Sequence, residues 1–384
     1  MPNRIRVLHL ISSLDVGGAE TQLLSLLSHS NRDRFDHSVL SLTSIGLIGD
    51  HIRQLGVSVG GLNMLRGVPS PQAVWELWKI LKDLQPQVLQ SWMYHADLLA
   101  LFGRAKGTRK LVWNIRCSDV DMTHYRFLSK WVVNLLSVCS GIPDGVVVNS
   151  HAGKLVHEQL GYHPKMWQII PNGVDLDQAR PDLSARIWLR QECKIAEDCL
   201  LIGLVARRDA MKDHPTFLMA AGIIHKKLPD VHFVLVGRGV DGADDELRTL
   251  LAEHDLMDAT HLLGQREDAL RITAGLDIAC SASAFGEGFS NAVGEAMACG
   301  VPCVVTDVGD SARIVGETGR IVLPKNPDAL AHACLELVEL GAAGRRALGG
   351  LARARMEEHY DIRAVTACYE TLYTSLVRNG PTQV

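Results

Sequence analysis

SAFGEGFSNAVGEAMACGVPC, residues 283–303, carries two glutamates on either side of a glycine-bearing turn that opens into a helix. Strand-like runs flank it at residues 277–282 and 301–306, so the stretch reads as one β-α-β unit of a parallel sheet. Ser290 stands where a helix cap is expected, Asn291 to Ala298 carry an apolar stripe, and Gly300 followed by Pro302 ends the helix. Glu287 therefore precedes the helix, and Glu295 falls about a turn and a half inside it. A helix N-terminus behind flexible backbone attracts anions through free N–H groups and the positive end of its dipole. Carboxylates beside such a site suit sugar hydroxyls, which they bind as charge-assisted acceptors. Two solvated glutamates on a surface helix would show the same letters; the glycines and strand ends around them point instead to a pocket for phosphate and sugar.

The same alternation of strand and helix runs along the whole chain. In the first half, strands are expected at residues 5–12, 37–43, 57–62, 87–92, 110–116 and 145–149, with amphipathic helices such as 19–30 and 70–84 between them. The pattern restarts at 200–206, 231–237 and 260–264 before it reaches 277–282. Between the two series, PNGVDLDQARPD at 171–182 has the Pro, Gly and Asp content of a linker. For 384 residues this predicts an α/β chain of two Rossmann-like domains, 1–170 and 186–360, joined by a hinge at 171–185. They are expected to face each other across a ligand cleft at the carboxyl ends of their strands. Residues 361–384 contain one more helix, at 361–378.

Apolar residues make up 47% and charged residues 21%, the balance of an ordinary globular chain. No run approaches the ~20 apolar residues that cross a bilayer. The nearest, 131–142, contains Asn134, Ser137 and Ser140 and stops at Pro143-Asp144. The opening MPNRIRVLHLISSL mimics a signal peptide, but its apolar run is short, holds His9 and reaches Asp15 without a small-residue cleavage site. It is expected to be the first strand. Nine cysteines form no CxxC and no metal-ligand spacing, which fits reduced core residues in a cytosolic protein. Residues 1–165 hold 17 Lys/Arg against 12 Asp/Glu, and the remainder 22 against 31. A basic first half suits an anionic membrane surface or an anionic acceptor, although chance surface composition gives the same count.

The wording of 283–303, from EGF to EAMACGVP, resembles the E-x7-E region of the family-four retaining glycosyltransferases of the GT-B fold. In that family the first glutamate and the amides behind it hold the donor sugar, and the second glutamate holds the ribose hydroxyls. The resemblance puts these roles on Glu287, on the backbone of Gly288, Phe289, Ser290 and Asn291, and on Glu295. Arg207 and Lys212, in VARRDAMKD, match the family's R-x4-K element, which would neutralise a leaving diphosphate without a metal. Read alone they are two surface cations, and Arg208 is a bystander. Gly17 and Gly18, in DVGGAET, fall where the family places a glycine-rich loop against the diphosphate; alone they are a tight strand-to-helix turn. His95, in QSWMYHADLL, matches the last histidine of the family's HxHMxHAN segment and is assigned to the reaction centre, while Trp92 stands where a middle histidine is common. Arg116, in WNIRCSD, suits a donor or an anionic acceptor as well as a structural ion pair. Gly264 to Arg266 match the position where the family's backbone receives the base, which adds Arg266 to the donor set. Asn172 and Gly173 would shape the hinge, and the last helix would cross back to the first domain.

What the resemblance implies is transfer of a sugar, with retention, from a UDP-type nucleotide donor to a hydroxyl of a glycan or lipid-linked precursor. His95, Glu287, Arg207 and Lys212 would be its catalytic residues. Neither cofactor, metal nor nucleic acid is expected, and the location is cytoplasmic, at the inner face of the cytoplasmic membrane. No pair of carboxylates flanks a scissile bond as double displacement wants, which favours reaction on one face of the sugar. One D-x-D, Asp119-Val120-Asp121, lies in the first domain. Two other readings compete. A catalytically inactive nucleotide-sugar-binding protein of the same fold is favoured by Trp92. An NAD-dependent oxidoreductase is suggested by GRGVDG, 237–242, a G-x-G-x-x-G after a strand. That fingerprint normally opens the first β-α-β unit and needs an acid at the end of the next strand, where Gln265 and Arg266 stand.

Overall fold

The computed structural model describes residues 4–64, 70–104, 110–118 and 127–378. The chain divides into two compact units, Met1–Gly173 with Ile362–Val384, and Val174–Asp361. Unit one is built on seven parallel strands: β1 (Ile5–Ile11), β2 (Phe35–Ser41), β3 (Ser58–Gly61), β4 (Val88–Trp92), β5 (Lys110–Ile115), β6 (Gly145–Val148) and β7 (Trp167–Ile169). Their order is β3-β2-β1-β4-β5-β6-β7. Unit two has six: β8 (Leu200–Val205), β9 (Val231–Val236), β10 (Thr260–Leu262), β11 (Ile278–Ser281), β12 (Cys303–Thr306) and β13 (Arg320–Val322). Their order is β10-β9-β8-β11-β12-β13.

Both sheets are covered on both faces, and β4, β6, β11 and β12 are buried along their whole length without alternation. In β1, Leu8 and Leu10 join the core beneath helices Pro71–Leu84, Tyr94–Arg104 and Phe127–Cys139. Val7 and Ile11, one position out of phase, join the opposite core under Gly18–His29, Leu47–Gln54 and the last helix, Ile362–Arg378. The apolar run at 131–142 falls largely in Phe127–Cys139, which buries Val132, Val133 and Leu136 in that first core. Among the described residues no helix is long and apolar enough to cross a membrane.

The chain leaves unit one at Gly173. The Gly173 amide donates to Gln22 Oε1 at 3.0 Å and its carbonyl accepts from Gln22 Nε2 at 2.9 Å. In unit two the Val174 amide donates to the Tyr360 carbonyl at 2.8 Å, and Asp182 caps helix Leu183–Cys193 through the Ser184 amide. In each sheet the direction of winding reverses between two neighbours, β1 and β4 in unit one, β8 and β11 in unit two. Open α/β sheets bind ligands at the carboxyl ends of the strands at such a point.

Candidate functional site

At the switch point of unit two, the segments leaving β8 and β11 are tied together. The Ala284 amide donates to the Met211 carbonyl at 2.8 Å, and Thr306 Oγ1 donates to the Ser283 carbonyl at 2.7 Å. This brings Lys212, on the short turn Ala210–Lys212, to Glu287: its Nζ donates to Glu287 Oε1. Ser283 Oγ donates to the same oxygen at 2.7 Å. Glu287 is only 5% exposed, and a buried carboxylate is tolerable when it is paired and hydrogen-bonded in this way.

Two glycines make the arrangement possible. Gly286 has φ +81°, and a Cβ there would lie 2.5 Å from Met211 Sδ. Gly309 has φ +62°, and a Cβ would lie 1.9 Å from the Glu287 carbonyl oxygen. The neighbouring Asp310 amide donates to the Gly288 carbonyl at 3.0 Å. Ser283, Met211 and Gly309 did not stand out in the sequence; only a serine four residues before Glu287 offered a local hint.

Helix Asn291–Ala298 begins immediately behind this cluster. Ser290 occupies the cap position, but its side chain makes no capping bond, which corrects the expectation drawn from sequence. Its ψ is 106°, against 155° and 154° at the capping serines Ser70 and Ser150. Phe289 is buried, its ring 5.2 Å from that of Tyr360, so it offers only backbone to a ligand. Glu295 is half-buried; its carboxyl has no hydrogen bond or ion pair among the described residues, and burial pushes its pKa up to about 7.

The three arginines here differ. Arg207 is exposed and pairs loosely with its neighbour Asp209 at 3.1 Å. Arg208 is folded onto Asp244 at 2.9 Å and Glu246 at 2.8 Å. Arg266 is gripped twice by Asp268, at 2.8 and 2.9 Å, and by Glu192 at 3.0 Å, while the Gly264 amide donates to the Val240 carbonyl at 2.9 Å and its carbonyl accepts from the Gly237 amide at 2.8 Å. In GRGVDG, Gly237 serves close packing: a Cβ would lie 2.1 Å from the Ala206 carbonyl oxygen and 2.8 Å from the Arg207 amide nitrogen. The first glycine of the motif thus seats the β9 loop against the one that carries Arg207.

In unit one, Gly17 and Gly18 open helix Gly18–His29 at the end of the β1 loop, with no side-chain cap. The Glu20 carboxylate folds back over Gly17, where a Cβ would lie 2.3 Å from its Oε2. His95 is the second residue of helix Tyr94–Arg104, just past β4; burial holds its pKa below the ordinary imidazole value, so it is neutral at pH 7. Trp92 is buried and points inward, its indole N–H donating to His9 Nδ1 at 3.2 Å. Arg116 follows β5 and meets neutral groups, Tyr369, Asn114 and Asn172. No carboxylate among the described residues pairs with it, so it forms no structural ion pair there. Asp119-Val120-Asp121 lies outside the described residues.

Two family models match the chain, Glycosyltransferase Family 4 over residues 16–178 and Glycosyl transferases group 1 over residues 198–340. A phosphatidyl-myo-inositol mannosyltransferase of Mycobacterium tuberculosis is 29% identical over 311 residues, covering 74% of this chain and 76% of that protein. The N-acetylgalactosamine-N,N'-diacetylbacillosaminyl-diphospho-undecaprenol 4-alpha-N-acetylgalactosaminyltransferase of Campylobacter jejuni is 26% identical over 340 residues, 86% and 89% of the two chains. The crystal structure of Anabaena Alr3699/HepE in complex with UDP superposes with a TM-score of 0.84 at 20% identity, over 97% of this chain and 100% of that one.

Proposed function

The chain belongs to the group 1, family-four glycosyltransferases and has their GT-B fold, and on that premise we propose that it moves a sugar from a UDP-type donor to a hydroxyl of a glycolipid or polysaccharide precursor, with retention and without a metal. The observation that carries the reading is the Lys212, Glu287 and Ser283 cluster at the carboxyl ends of β8 and β11, beside a helix start that Ser290 does not cap. Glu287 takes hydroxyls of the donor sugar. Lys212, Arg207 and the amides of Gly288 to Asn291 take the diphosphate. An ammonium has three donors and Glu287 occupies one, so Lys212 can hold phosphate at the same time. As the bond from the anomeric carbon to the phosphate oxygen breaks, its electron pair goes to the phosphate. The departing phosphate then accepts the proton of the acceptor hydroxyl that attacks from the same face. Preorganised positive charge supplies most of the acceleration, and neutral His95 assists as a hydrogen-bonding group.

Two relatives whose names specify lipid-linked acceptors support a precursor of that kind. Trp75, Trp131 and Val138 are 62%, 49% and 84% exposed on helices Pro71–Leu84 and Phe127–Cys139. With the basic balance of residues 1–165, they support peripheral contact with an anionic membrane face on the cytoplasmic side.

Glu295 tests the donor assignment. A carboxylate accepts ribose hydroxyls better than a carboxylic acid does, so donor binding favours the ionised form. With its pKa near 7 in the free protein, UDP affinity should weaken as pH falls below about 7. Binding near neutrality should release a proton, visible by calorimetry in buffers of different ionisation enthalpy. Glu295→Gln should remove the part of the pH dependence due to Glu295 and leave that of the UDP terminal phosphate, whose second pKa is about 6. Glu295→Ala should weaken UDP binding about 10- to 100-fold through lost charge-assisted hydrogen bonds. Equal affinity of wild type and Glu295→Ala would remove the ribose assignment.

A further inference from the structure

Arg116 stands at the carboxyl edge of the first sheet, where Asn149 follows β6 and Asn172 lies beyond β7. Its Nη1 donates to the Tyr369 hydroxyl at 2.9 Å and to Asn114 Oδ1 at 3.4 Å, and its Nη2 donates to Asn172 Oδ1 at 2.5 Å. The guanidinium lies 5.4 Å from the centre of the Trp92 ring. These partners fix the cation without neutralising it. Elsewhere, the buried Arg190 and the partly buried Arg104 and Arg208 each carry an aspartate: Asp277, Asp144 and Asp244. Two buried polar atoms in the Arg116 cluster have no partner, Arg116 Nε and Asn149 Oδ1, although Asn149 Nδ2 donates to Asn172 Oδ1 at 3.2 Å. A fixed cation with no counter-ion among the described residues is costly to maintain, and the cost is offset where a ligand brings the anion.

The platform beneath it is itself secured. Trp92 donates to His9 Nδ1, His9 Nε2 meets His37 Nδ1 at 3.0 Å, His37 Nε2 meets Ser30 Oγ at 2.8 Å, and Ser30 donates to Glu370 Oε1 at 3.0 Å. An indole only donates and a carboxylate only accepts, so every bond in the chain runs from Trp92 toward Glu370, and each histidine is a single neutral tautomer. Trp92, at the position where a histidine would have been a candidate catalytic group, is here the ring over which Arg116 is held.

We propose that Arg116 is the cationic floor of a phosphoryl subsite in unit one, an inference that rests on the transferase reading. The phosphoryl group belongs either to the diphosphate of a lipid-linked acceptor or to the donor. The test uses the full chain, with inorganic pyrophosphate titrated by calorimetry in the presence of saturating UDP. Wild type should bind pyrophosphate, Arg116→Gln at least about ten-fold more weakly, and Arg116→Lys, which keeps the charge but loses the fork, in between. Pyrophosphate should raise the melting temperature of wild type and not that of Arg116→Gln, a response that a purely structural arginine would not give. If the glutamine variant fails to fold, Arg116→Lys carries the test alone. UDP titrated by itself identifies the source. Unchanged UDP affinity in Arg116→Gln assigns the subsite to an acceptor, whereas a ten-fold loss, with no pyrophosphate binding over UDP, assigns it to the donor. Equal affinity of wild type and both variants for both probes overturns the inference and leaves the transferase reading intact. Pyrophosphate binding by a wild type that does not bind UDP would sink the transferase reading instead.

Discussion

Lys212→Ala should lower the turnover number by about 10²- to 10³-fold, the cost of one preorganised charge stabiliser, while donor affinity changes by only a few-fold. The difference arises because charge on the departing phosphate grows as the glycosidic bond breaks, so the ammonium contributes more in the transition state than in the ground state. The substitution has a second effect that must be separated from the first. Glu287 is buried and would lose its cation, which should destabilise the fold by about 3 kcal/mol. Adding Glu287→Gln removes the stranded charge and should recover most of that stability in denaturant titrations. Turnover should not recover. A variant whose turnover returns with its stability would show that Lys212 supports the loop and not the chemistry.

Gly309→Ala should cost about 10²-fold in turnover although residue 309 bears no functional group. Its Cβ would overlap the Glu287 carbonyl oxygen at 1.9 Å and crowd the Gly288 carbonyl oxygen at 3.0 Å, at a φ of +62° that alanine adopts poorly. The Glu287–Gly288 peptide would have to move by about an ångström, which loosens Glu287 and the helix-start amides together. Stability should fall by about 1–3 kcal/mol. Steady-state kinetics with circular dichroism decide the outcome: a folded Gly309→Ala enzyme with wild-type turnover would mean that this peptide does not position the donor.

What the sequence discloses and what it withholds divide along physical lines. Glu287 and Glu295 are legible because a turn, a helix and two strands follow each other within one short stretch, and each has local signals. The strand runs are legible because both faces of each sheet are buried. β7 and β13 lie outside the expected runs, although β10, equally short, lies inside one. The pairing of Lys212 with Glu287 spans 75 residues and depends on the close seating of two loops. Gly309 looks like any turn glycine until the Glu287 backbone is seen against it. At Ser290 the cap position was readable but the absence of its capping bond was not. For Arg266, Asp268 two residues on was a local warning that the side chain is occupied. Arg116 read equally as a ligand contact and as half of an ion pair, and its neutral partners come from residues 114, 172 and 369, which no local pattern joins.

The proposal of retaining transfer without a metal is tested most directly by proton NMR of the first product formed from an α-linked UDP-sugar and a lipid-linked acceptor in EDTA. The account predicts an α-linked product, read from the anomeric coupling, formed at the same rate as without chelator. A protein that only binds its donor would give no product under any condition. A β-linked product would contradict the account and make His95 the general base of an inverting reaction, and transfer that stops in EDTA and returns with a divalent ion would contradict the role given to Lys212, Arg207 and the helix start.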